Sequence, residues 1–158
     1  MSLFDTCFTQ LIGNEGGISN SSDDPGGLTK FGISQRSYPS VDIANLTLDE
    51  AKVIYQRDYW DRAQCDRLPA GIAFDVFDTA VNSGIGQAIR FLQRAVGVAD
   101  DGVIGPMTLA AISRVEPEAI QARFNGQRLD FMTRLTTWPV FGAGWSRRIA
   151  KNLQSVGV

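Results

Sequence analysis

Apolar residues in this chain recur at three- and four-residue steps almost everywhere, and only the stretch from Gly16 to Ser34 breaks that rhythm. Near the start, Leu3, Phe4, Cys7, Phe8, Leu11 and Ile12 form one stripe of an amphipathic helix. Ser2 and Asp5 fit the reciprocal cap that opens such a helix. Thr47 and Glu50 repeat the pattern before a helix that runs to about Trp60. Pro69 opens a third helix, apolar at Ile72, Ala73, Val76, Phe77, Ala80 and Val81, which ends near Asn82-Ser83-Gly84. Ile85 to Val96 makes a fourth, stopped by Gly97. Helices are expected from Pro106 to about Arg114, from Pro117 to about Leu135, and from Phe141 to Gln154 after a break at Trp138-Pro139. The fold class is therefore all-α, mainly helical, with a small irregular or β-hairpin segment near residues 27–34.

A chain of 158 residues makes one domain, or two small lobes on a shared core. Histidine is absent, which excludes Ser-His-Asp and Cys-His hydrolysis and the usual catalytic zinc sites. Cys7 and Cys65 stand in no metal-like spacing and read as buried small hydrophobes in a reducing compartment. No metal or organic cofactor is expected. There is no apolar run long enough to span a membrane. The first residues lack a basic segment and carry Asp5 within the apolar part, so no secretory signal peptide is expected.

Charge is uneven. Residues 1–61 carry nine acids and four bases, and residues 62–158 carry eight acids and eleven bases. From Phe131 onward there are Arg134, Arg147, Arg148 and Lys151 and no acid. Such a tail is either a solvated helix face or a contact for an anionic polymer or surface. Nucleic acid is not an expected partner.

The aperiodic stretch holds the candidate chemistry. Glu15 continues the stripe of Phe8 and Leu11, so its carboxyl is expected to be partly desolvated and to keep its proton at higher pH. The alternative is a solvated glutamate at a helix end stopped by Gly16-Gly17. Asn20 to Gly27 is a run of turn formers carrying Asp24. Its spacing is wrong for a calcium loop, because Pro25 and Phe31 fall where glycine and an acid are needed. Two carboxyls in unlike environments are what glycoside hydrolysis uses, one to protonate the leaving oxygen and one to support the developing cation or activate water. Thr29 could position a water beside Asp24.

Glu15-Gly16-Gly17 followed by Asp24-x-Gly26-Gly27-x-Thr29-x-x-Gly32-Ile33 resembles the N-terminal signature of glycoside hydrolase family 108, the N-acetylmuramidases that include phage endolysins. The resemblance implies a lysozyme-like fold with Glu15, Asp24 and Thr29 as catalytic residues. Asp24 rather than Asp23 takes the loop position, because the spacing to the glycine pair sets the register. Ile18 departs from the family, which usually has tyrosine there. Phe77 to Gly84 is similar to the end of the family's central helix. Ala88 to Gly97, with Asp101 to Pro106, is similar to the helical peptidoglycan-binding region that often follows. Residues 1–158 are thus expected to form one lysozyme-like domain, with 1–84 as the catalytic region and 85–158 as a peptidoglycan-binding-like lobe.

Asn82 and Phe31 are candidate substrate contacts, Asn82 competing with a plain helix-cap role. Asp78 reads as structural, and Tyr55, Tyr59 and Trp60 read first as core. The implied partner is the peptidoglycan glycan strand, with Arg147, Arg148 and Lys151 beside Trp145 as a possible contact to an anionic wall or outer-membrane surface. The implied setting is a monomer that accumulates in the host cytoplasm and acts in the periplasm after release by a separate pore. A lytic transglycosylase, a non-catalytic wall-binding module and a chitin-cleaving enzyme are the rival readings.

Overall fold

The computed structural model describes residues 1–15 and 27–157, the side chains of Asn14 and Glu15 excepted. The chain divides into two compact units, Met1–Asp58 and Tyr59–Val158.

In the first unit, α1 spans Leu3–Glu15 and buries Phe4, Cys7, Phe8 and Leu11, the expected stripe. Its start is capped as expected: the Asp5 amide donates to Ser2 Oγ at 3.0 Å, and the Ser2 amide donates to Asp5 Oδ2 at 2.8 Å. β1 (Thr29–Lys30) and β2 (Ile33–Ser34) form an antiparallel hairpin in which Thr29 faces Ser34 and Lys30 faces Ile33. The two residues between them, Phe31 and Gly32, have φ of 53° and 79°. A two-residue hairpin loop with both φ values positive matches the twist of its strands. Glycine takes this conformation freely, whereas a bulky Phe31 in it costs about 1–3 kcal/mol. α2 (Leu48–Tyr55) opens with the expected Thr47–Glu50 capping box and continues as one π-helical turn, Gln56–Trp60. Lys52 on α2 pairs with Asp5 on α1, and the rings of Phe8 and Tyr55 meet at 5.7 Å.

The second unit is helical among its described residues: α3 (Ala70–Ser83), α4 (Ile85–Val96), α5 (Pro106–Ser113), α6 (Pro117–Thr133) and α7 (Trp138–Gln154). α3 is its central rod, buried at every position from Ile72 to Ala80. It packs on α4 and α6, and α6 packs in turn on α4 and α7. Trp60 is fully buried, its ring edge-on to Phe77 and its Nε1 donating to Asp66 Oδ1 at 2.9 Å. Both cysteines are buried.

Two expectations for the C-terminal segment are corrected. Trp138-Pro139 does not break the chain; it begins α7, with Pro139 in the first turn. Proline is tolerated there because the first-turn amides have no intrahelical acceptor. Phe141 therefore lies inside the helix, and the Gly142 surface is what lets it close on itself, since a Cβ at that position would sit 2.6 Å from the Trp138 ring. The second correction concerns Arg148. Its guanidinium donates through Nε to Asp78 Oδ1 at 2.8 Å and through a second nitrogen to the same oxygen. Arg148 is thus part of the interior, not of a basic surface. The physical reason lies in Asp78, whose side chain is 0% exposed and needs cations around it. Nor do Arg147 and Lys151 stand beside Trp145. At about 100° per residue they lie roughly 200° and 240° round the helix from it, and both are exposed. Arg134 is paired with Asp130, one turn back.

Charge reversal at Arg148 should therefore cost about 3–5 kcal/mol of stability, because it leaves Asp78 buried against a like charge. The same change at exposed Arg147 should cost within about 0.5 kcal/mol. Urea unfolding of Arg148→Glu and Arg147→Glu measures both.

Candidate active site

The described part of the site belongs to the first unit. α1 spans Leu3–Glu15 and the hairpin carries Thr29 and Phe31; Asp24 falls between them in sequence. The Glu15 carboxyl and Asp24 lie outside the described residues, so the expected desolvation of Glu15 and its spacing from Asp24 are not among the observed features.

Thr29 is half-buried on β1, with its Oγ1 3.5 Å from the Gly27 carbonyl. Phe31 is also half-buried. Its carbonyl accepts a 2.8 Å hydrogen bond from the Tyr55 hydroxyl, and Lys30 Nζ lies 5.6 Å from its ring centre. Lys30 also donates to the Ala44 carbonyl at 3.3 Å, which ties the hairpin to the short helical turn that follows. The next loop is gathered by Gln35, whose Nε2 donates to the carbonyls of Tyr38 and Val41 at 3.0 and 2.9 Å. Tyr38 donates to Asp58 Oδ2 at 2.8 Å. Hydrogen bonds from Lys52 and from Ser2 hold the Asp5 carboxyl well below the usual carboxylate range, so α1 keeps its anionic cap over the whole working pH range.

Asn82, in the second unit, is exposed in the last turn of α3, and its Nδ2 donates to the Asp78 carbonyl at 3.1 Å. Tyr55 and Trp60 are buried, as core residues are, and Tyr59 is half-buried. Among the described residues no group of three or more Cys, Asp or Glu side chains comes together to hold a metal ion. Two surface cavities of about 440 Å³ lie elsewhere: one includes Arg67, Leu109 and Arg114, the other Asp42, Leu46 and Val53. Neither is lined by a candidate catalytic residue. They belong to the scaffold's surface rather than to the proposed chemistry.

Behind Asn82, α3 holds a polar core that the sequence reading did not anticipate. Asp78 Oδ2 accepts from Arg128 at 2.5 Å and from Asn152 at 3.3 Å, while Oδ1 takes Arg148. Burial alone would raise the Asp78 pKa, but the charges of Arg128 and Arg148 outweigh it and hold the group below its ordinary value. Asp75, one turn earlier, accepts from amides among the described residues: Asn125 Nδ2 at 3.1 Å and Gln121 Nε2 at 3.4 Å. Burial pushes it up to about 7, helped by the nearby Asp78 charge and opposed by those amides and by Arg128. A signal for this core was present. Asp75 and Asp78 interrupt the apolar run of α3, and Gln121, Asn125 and Arg128 share one stripe with Ile120 and Phe124.

Comparison with known proteins bears on both units. The family described as Glycosyl hydrolase 108 matches residues 8–84. A family described as a predicted peptidoglycan domain matches residues 87–150. Among solved structures, SagA of Brucella abortus is 32% identical and superposes with a TM-score of 0.88, covering 97% of this chain and 92% of that one. No curated protein matches. Glu15, Asp24, Thr29, Phe31 and Asn82 all fall inside the segment matched by the first family.

The raised Asp75 pKa makes stability depend on pH with a definite sign. Between about pH 4 and pH 7 the folded protein keeps a proton that the unfolded chain has lost. The contribution is complete below about pH 4 and disappears as pH rises to about 7, a change of up to about 4 kcal/mol. Asp75→Asn should flatten that slope and raise stability at pH 8. Denaturation midpoints of parent and variant across this range measure it.

Proposed function

The chain belongs to the glycosyl hydrolase 108 family, has a lysozyme-like fold and is a peptidoglycan hydrolase; from that premise we propose that it is an N-acetylmuramidase. It cleaves the β-1,4 bond between N-acetylmuramic acid and N-acetylglucosamine. Glu15 is the general acid and protonates the glycosidic oxygen as the bond breaks. Asp24, ionised in its polar loop, supports the positive charge that develops on the sugar or activates the attacking water. Thr29 holds that water. Phe31 and Asn82 contact the sugars, Asn82 through an acetamido group.

The observation that supports this reading is the extent of the family match. One matched segment contains the ordered set of acid, loop aspartate and threonine, and the matched peptidoglycan domain follows it directly. In the first unit α1 carries Glu15 and the hairpin carries Thr29. The reaction needs no metal, in keeping with two carboxyls that separate acid and base roles by environment. The chain acts in the periplasm after leaving the cytoplasm of the cell that makes it, as a phage lysis enzyme or in remodelling of a bacterial wall. Arg147 and Lys151 remain as the basic contacts to an anionic surface.

Removing the acid should abolish the reaction without touching the fold. Glu15→Gln should clear chloroform-permeabilised Gram-negative cells at least about 100-fold more slowly than the parent, and Asp24→Asn about 10-fold or more. Parental clearing rates in Glu15→Gln would mean that another group donates the proton, or that the protein only binds the wall.

A further inference from the structure

The hairpin that carries Thr29 is held by a contact that no family resemblance assigns. Its turn contains a phenylalanine in the left-handed region, φ 53°. That backbone persists only where surrounding contacts impose it. The contact is the Tyr55 hydroxyl, which reaches the Phe31 carbonyl at 2.8 Å across 24 residues of sequence. Tyr55 is itself 1% exposed, and its ring meets Phe8 of α1 at 5.7 Å. Phe8 lies on the same stripe as Leu11, two turns before the end of α1 at Glu15. The Asp5–Lys52 ion pair fixes α1 to the helix that bears Tyr55. One side chain thus joins the helix that ends in the proposed acid to the strand that holds the proposed water-positioning hydroxyl.

We infer that Tyr55 is a positioning residue for the muramidase reaction: its ring on Phe8 and its hydroxyl on the Phe31 carbonyl set the hairpin, and with it Thr29, relative to the end of α1. The inference rests on the assignment of Glu15 and Thr29 made above. Its chemistry is that of alignment. A water held off line by a fraction of an ångström lowers the rate of the bond-breaking step, while sugar contacts made elsewhere leave binding as it was. A tyrosine serving the core alone would lend stability and nothing to turnover. The Tyr38–Asp58 hydrogen bond provides the contrast, because it joins a tyrosine hydroxyl to a carboxylate rather than to the Phe31 carbonyl.

The test compares Tyr55→Phe with Tyr38→Phe on purified peptidoglycan, well below either variant's unfolding temperature. Tyr55→Phe keeps the ring and its contact with Phe8 and removes only the hydroxyl. Its kcat should fall about tenfold with KM changed less than about twofold. Amide exchange at Lys30 to Ser34 should quicken in parallel. Tyr38→Phe should keep the parental kcat, whatever it costs in stability. Parental kcat in Tyr55→Phe overturns the inference, and so does an equal loss of kcat in Tyr38→Phe, since general loosening would then explain both. Failure of the underlying assignment reads differently: Glu15→Gln would retain activity, whereas a failure confined to Tyr55 leaves Glu15→Gln inactive.

Discussion

A carboxylate with no exposed surface, set in a helix buried from Ile72 to Ala80, dictates the arrangement of the second unit. Asp78 cannot stay ionised in the interior without cations, and removing it from water costs several kcal/mol. Arg128 from α6 and Arg148 from α7 supply the charge, and Asn152 supplies a further donor. The last helix is therefore fastened to the central one by directed bonds as well as by apolar contact. Apolar packing tolerates a helix sliding by part of a turn; a carboxylate shared by two guanidinium groups does not. α3 ends four residues later at Asn82 and Ser83, so a candidate sugar contact stands at the end of the best-fixed rod in the unit.

The first unit solves the opposite problem. Its hairpin has two residues per strand and, among the described residues, no sheet to join, and so small a ladder is marginal by itself. Bonds outside the ladder hold it: Tyr55 from α2 donates to the turn, and the hairpin's own Lys30 reaches the Ala44 carbonyl. Ile33, 3% exposed, anchors it to the core. Under the proposed function, the Thr29 hydroxyl is placed by those tethers rather than by the strand pairing.

Much of this was legible in the sequence, for physical reasons that can be named. Helix positions followed from apolar spacing and from two capping boxes, Ser2–Asp5 and Thr47–Glu50, whose hydrogen bonds form as read. Near residues 27–34 the sequence allowed an irregular segment or a hairpin, and the structure has the hairpin. The order of Glu15, Asp24 and Thr29 was visible because the spacing of loop residues is itself the motif. What escaped reading was pairing across long separations. Arg148 looked like surface because arginine usually is, and its partner lies 70 residues away. Proline at position 139 suits a first turn as well as a break, and only the tertiary setting of α7 decides between them. Tyr55 sits at helical spacing among apolar residues, and nothing in that spacing reveals that its hydroxyl meets a backbone carbonyl 24 residues back.

The central claim is that a carboxylic acid donates a proton while water completes the cut, and the fate of the water's oxygen tests it most directly. Purified peptidoglycan digested in oxygen-18 water and analysed by mass spectrometry should yield new reducing N-acetylmuramic ends, each carrying one heavy oxygen at the anomeric carbon. Unlabelled 1,6-anhydromuramic ends would contradict the account, because the sugar's own hydroxyl would then have closed the bond and no water would have been held for it.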